Sequence, residues 1–76
     1  MSELSDKVLR ITTTYLGPAS LTFLERITHS YLQDLAFKDL QKQHISELSK
    51  WVGAYAARVI DRKQATVLSQ IIAKLG

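Results

Sequence analysis

Apolar side chains recur every three or four positions along this chain and almost never at every second one. That period marks amphipathic helices rather than strands. Leu4, Val8, Ile11 and Tyr15 make the first stripe and predict a helix from about Glu3 to Tyr15. Ser2 can cap it, and Glu3 and Asp6 stand in the first turn, where the helix dipole favours acids. Thr12, Thr13 and Thr14 are β-branched and weaken its last turn. Gly17-Pro18 then punctuates the chain, since glycine can close a helix in a left-handed conformation and proline can open the next one. A second helix is predicted from Pro18 to about Leu32. Leu21, Leu24, Ile27, Thr28, Tyr31 and Leu32 share its inner face, with Phe23 at the edge. Thr22, Glu25, Arg26, His29 and Gln33 point the other way.

Gln33 to Lys38 reads as a connection, and Asp39 as the N-cap of a third helix from Leu40 to Val59. Its stripe is Ile45, Leu48, Val52, Tyr55, Ala56 and Val59, with Trp51 alongside. A break near His44 to Ser46 is compatible with Ser46 acting as a second cap. Asp61 followed by Gln64 resembles a capping box and opens a fourth helix, whose face is Ala65, Leu68, Ile71, Ile72 and Leu75. Lys74 and Gly76 suit its end. No internal repeat or low-complexity stretch interrupts this pattern. The expectation is one all-α domain over residues 1–76, a small four-helix bundle.

Composition agrees with a folded chain. Hydrophobic residues make up 46% and charged residues 22% of the sequence, enough apolar surface to offset the entropy of ordering. There is no cysteine, so neither a disulfide nor a thiolate metal site is expected. No apolar run approaches the ~20 residues of a membrane span. The first residues lack a basic stretch followed by an apolar one, so no signal peptide is expected and the location is read as cytoplasmic. Ten Lys and Arg against seven Asp and Glu leave +3, a mild positive balance that permits anionic partners without requiring them.

Chemistry-bearing constellations are sparse. His29 and His44 stand far apart, and neither has a second histidine at metal-pair spacing. The glycines stand apart at 17, 53 and 76, which excludes a phosphate-cradling loop. No serine lies in a nucleophile motif. The expectation is no enzyme, no cofactor and no metal. Arg58, Arg62 and Lys63 form a basic corner between the third and fourth helices, the candidate contacts for a DNA-binding alternative. The fourth helix offers only Lys63, Thr66, Gln70 and Lys74 as outward groups, few for reading bases.

Association surfaces are better represented. Gly53, Ala54 and Ala57 are small residues behind the core stripe of the third helix, and a mid-helix glycine costs about 1 kcal/mol relative to alanine. Small residues permit close approach of another helix. Packing within the chain's own bundle is the default reading of that face, and contact with a second chain is the alternative. Trp51 and Phe37 pose the same choice between core and interface anchor. The first helix also has a broad apolar sector that a domain of this size covers incompletely, and small scaffolds gain stability by associating. Phe37, Trp51, Gly53, Ala54 and Ala57 are the candidate protein interface, and a homodimer is the expected assembly.

The segment Tyr15-Leu16-Gly17-Pro18-Ala19-Ser20-Leu21-Thr22-Phe23-Leu24-Glu25-Arg26 resembles the small helical domain found at the C-termini of some bacterial serine/threonine kinases and cyclases. There an apolar pair precedes Gly-Pro, followed by a small residue and an apolar run ending in a basic residue. The spacing of Glu47-Leu48, Trp51-Val52, Asp61, Ala65, Leu68 and Ile71-Ile72 is similar. Thr22 stands where an aliphatic residue is usual, and Trp51 and Gly53 depart from the pattern. The resemblance implies a non-catalytic regulatory or association module. The leading expectation is therefore a protein-interaction module, an adaptor or regulator in bacterial signalling, with a small DNA-binding protein as the alternative. An enzyme inhibitor or toxin-system component of this size would carry the same pattern.

Overall fold

A computed structural model describes residues 2–76, and these residues contain helices and turns and no strand. The α-helices are α1 (Glu3–Leu16), α2 (Ser20–Tyr31), α3 (Ile45–Ala56) and α4 (Arg62–Ala73). Helical structure runs without a break from Glu3 to Tyr31, because a 3₁₀ turn over Gly17–Ala19 joins α1 to α2. Gly17 makes the bend with φ +71 and ψ −150, a region essentially reserved for glycine. Pro18 sits in the first turn that follows, where its missing amide is not needed. α1 packs on α2 and α4, α2 packs on α3, and α3 packs on α4 most extensively of all.

The Ser2 cap is present: its hydroxyl accepts the Ser5 amide at 3.1 Å and donates to the Leu40 carbonyl at 3.3 Å. The Ser2 amide donates to Lys38 at 3.1 Å, so the start of α1 is fastened to the loop before α3. The buried line of α1 differs from the predicted stripe. Ser5, Val8 and Thr12 are buried, whereas Leu4, Ile11 and Tyr15 flank that line, half-buried. Small hydroxyl side chains allow neighbouring helices to come close, and the helix is rotated to place them inward. Ser5 donates to the Ser2 carbonyl at 2.9 Å, but the buried Thr12 hydroxyl has no partner.

α2 ends in two consecutive left-handed residues, Gln33 and Asp34. The Asp34 amide reaches back to His29 and the Leu35 amide to Thr28, both at 3.2 Å, which satisfies carbonyls that the helix end exposes. The third helix is shorter at both ends than the sequence pattern predicts. Asp39 lies in a 3₁₀ turn over Phe37–Asp39 and does not cap it. Phe37 and Leu40 are instead driven into the core, and burying two large side chains from one short segment stabilises more than an extra helical turn would. A second 3₁₀ turn over Lys42–His44 leads into α3, with Gln41 and His44 forming a reciprocal capping box. His44 Nδ1 accepts the Gln41 amide at 3.0 Å, so this histidine is a capping group.

α3 stops at Ala56, and Val59, expected on the core stripe, is 66% exposed. The chain tightens there into turns, with the Val59 and Ile60 amides both donating to the Ala56 carbonyl at 2.9 Å. Ile60 turns back to pack on the core in place of Val59, which sets up Asp61 as the cap of α4. The Asp61 carboxylate accepts the Lys63 amide at 2.6 Å and the Gln64 amide at 3.4 Å. The core itself joins Val8, Leu24, Ile27, Leu48, Val52, Ala56, Leu68 and Ile72 with the two loop anchors.

Two stability outcomes follow. Gly17→Ala should cost about 1–3 kcal/mol through backbone strain, although no atom crowds the site. Thr12→Val should stabilise by about 1 kcal/mol, because it removes an unpaired buried hydroxyl at nearly constant volume. Urea denaturation of the two variants beside the wild type measures both, and a more stable Gly17→Ala or a less stable Thr12→Val would contradict them.

Candidate functional site: an aromatic cleft between α2 and α3

The two flanks of α3 have different duties. One flank carries Ser49 and Gly53 and faces α4. A Cβ at Gly53 would stand 3.1 Å from Ser69 Cβ and Oγ, and Ser69 donates to the Ser49 carbonyl at 2.9 Å. The small-residue face is therefore divided. Gly53 serves the contact with α4 of its own chain, Ala54 points outward into solvent, and Ala57 lies half-buried against the core. Phe37 is 3% exposed and cannot be a surface contact, which corrects its place among the interface candidates. It is held inside because the loop before α3 has no other large anchor besides Leu35 and Leu40.

The other flank carries Trp51 and Tyr55 and faces α2. Tyr31 at the end of α2 stacks on Trp51 with ring centres 4.1 Å apart and planes 15° from parallel. Tyr55 completes the cluster, 5.5 Å from Tyr31 and 6.2 Å from Trp51. The Tyr31 and Tyr55 hydroxyls are hydrogen-bonded to each other. The Trp51 indole donates to the Glu47 carboxylate at 3.1 Å, and Lys50 stands over the indole at 5.4 Å. Trp51 is thus a half-buried wall whose polar edge is satisfied within α3.

Beside this cluster a cleft of about 510 Å³ opens between α2 and the chain leaving α3. Phe23, Ile27 and Tyr31 of α2 form one side, Tyr55 and Val59 the other, and Ala19 and Thr22 one end. Arg26 and Arg58 line it as well. The Arg58 guanidinium lies over the Tyr55 ring at 4.9 Å, a cation–π arrangement. The large hydrophobic side chains exposed among the described residues are Tyr31, Val59 and Val67, and the first two belong to this cleft. Its position was hidden in the sequence, because Tyr31 and Val59 both fall on apparently buried stripes.

Of the basic corner, Arg58 belongs to the cleft, whereas Arg62 and Lys63 are exposed in the first turn of α4. The amides of that turn are already engaged by Asp61, whose negative charge occupies the place a phosphate would take. His29 is paired with Asp34 at the surface. Among the described residues no group of three His, Cys, Asp or Glu side chains could hold a metal, and no helix is long and apolar enough to cross a membrane. Comparison of the chain with family models, with curated proteins and with solved structures finds no match.

The Tyr31 phenol titrates above its ordinary value, chiefly because of its hydrogen bond with Tyr55, with desolvation and the neighbouring phenolate adding to this and Arg58 opposing it. A raised acid stabilises the fold fully below the unfolded value of about 10 and loses that contribution as pH rises through the folded one. The hydroxyl bridge between α2 and α3 is accordingly intact at neutral pH and opens in strong alkali. Ultraviolet titration of tyrosinate absorbance should show one late-titrating phenol that returns to the ordinary range in Tyr55→Phe. An unchanged titration curve in that variant would contradict the assignment.

Proposed function

We propose that this chain is a non-catalytic protein-interaction module, an adaptor or regulator in bacterial signalling, built as a small four-helix bundle that docks a partner segment in the α2–α3 cleft. The observation that carries this reading is the gathering of exposed Tyr31 and Val59 with Phe23, Ile27 and Tyr55 around one open trough. Apolar surface grouped in this way marks a binding groove more often than singly scattered residues do. The segment that resembles the C-terminal domain of bacterial kinases and cyclases supplies Ala19, Thr22, Phe23 and Arg26 to this trough, which supports the signalling assignment.

Of the two occupants expected from the sequence, a different protein is favoured over a second copy. The self-association argument drew on Phe37, Trp51, Gly53, Ala54, Ala57 and the apolar sector of α1; of these Gly53 and Phe37 are engaged inside the chain, and Trp51 is stacked on Tyr31. Ala54 and half-buried Ala57 leave only a small apolar patch for pairing. The DNA-binding alternative is left with Arg62 and Lys63, too few cations for a phosphate-tracking surface.

Covering an exposed valine with a partner is worth roughly 1.5–3 kcal/mol, about tenfold or more in affinity. Quantitative capture from an extract of the source cell should therefore fall about tenfold for Val59→Asn and stay unchanged for Val67→Asn, which alters an exposed valine on α4 outside the cleft. Circular dichroism of both variants should match the wild type. Equal capture by all three proteins would overturn the docking site.

A further inference from the structure

The cleft carries information about what it accepts, and the inference here rests on the docking reading above. Its lining includes two cationic side chains, Arg26 and Arg58, and no acidic one. The ion pairs of the described residues are Lys7 with Glu3 and His29 with Asp34, so neither arginine is neutralised by the chain. Glu25 is next to Arg26 in sequence but lines a different hollow, beside His29 and Asp34. The Arg58 guanidinium lies over the Tyr55 ring at 4.9 Å, and with no ion pair of its own among the described residues its N–H donors are free for a planar, bidentate acceptor. The site therefore pairs an apolar floor with two unpartnered forks of donors.

From this pairing we infer that the cleft binds an acidic amphipathic segment of another protein, whose aliphatic or aromatic side chains cover Ile27, Tyr31 and Val59 while a carboxylate meets Arg26 and Arg58. A second copy of the chain is a poor occupant. Each copy carries +3, and a twofold, cleft-to-cleft contact would bring like-charged arginine pairs together. A small molecule is also a poor occupant, because such ligands are mostly enclosed and this trough is open between two helices. A helix or extended segment laid along it, anchored at alternate turns, matches groove recognition.

The test begins with random peptides displayed on phage and selected against the intact chain. Peptides that survive should combine Asp or Glu with Leu, Ile, Phe or Trp. Synthesised, they should change the emission of Trp51, the single tryptophan, which stacks on the cleft residue Tyr31. Arg26→Gln and Arg58→Gln should each weaken binding about tenfold, the usual range for a lost charged hydrogen bond. Raising salt from about 50 to 500 mM should weaken the wild type more than either variant. Neutral or basic consensus peptides, or equal affinity in the glutamine variants, would overturn the acidic occupant. If Val59→Asn weakens such peptides and the arginine variants do not, the docking site stands and its proposed charge preference falls. If no peptide is enriched, or none of the three variants alters binding, both readings fall.

Discussion

The close approach of α3 to α4 is the contact on which the rest of the arrangement depends. Gly53 suits it, since a Cβ there would stand 3.1 Å from Ser69 and the serine would have to give by a few tenths of an ångström. The serine fills the space a side chain would take and ties its hydroxyl to the Ser49 carbonyl. A mid-helix glycine weakens α3 by itself, so the helix owes its stability to this packing. Seated against α4 on one flank, α3 is left with a single orientation, and that orientation turns Trp51 and Tyr55 toward α2.

Short hydroxyl side chains recur at the other closely packed positions. Ser5, Thr12, Ser20, Thr28 and Ser49 are buried beside the apolar core. Most of these hydroxyls turn back to a carbonyl of their own helix or turn, as Ser20 does to Gly17 at 2.8 Å and Ser49 to Ser46 at 3.0 Å. The group needs no partner on a neighbouring helix, so the helix can be buried closely without stranding a polar atom. Thr12 departs from this economy.

The cleft is a consequence of how α3 ends. Had the helix continued to Val59, that side chain would have extended the inner stripe and closed the trough. The turns after Ala56 send Ile60 inward and Val59 outward, bring Asp61 to the head of α4, and leave Arg58 lying over Tyr55. Apolar floor and cationic rim therefore arise from one local event. An acidic amphipathic ligand would restore to Val59 and Tyr31 the burial the helix end denies them, and would supply the counter-charge that the two arginines lack.

Much of the fold was legible in the sequence because its signals are local. The 3.6-residue period placed all the α-helices, Ser2 and Asp61 act through neighbours two or three residues away, and Gly17-Pro18 acts through backbone dihedrals. What the tertiary structure decided depends on partners distant along the chain. The inward turn of Ser5 and Thr12 on α1 is set by its packing against both α2 and α4. The capture of Phe37 and Leu40 needs a core already formed by other helices, and Gly53 acquires its purpose only when Ser69 lies opposite. Periodicity marks Val59 and Tyr31 as apolar and inward, since a helix-face argument assumes that the helix continues. Burial is settled by where the helix stops and what stands across from it, which is a property of the packed chain.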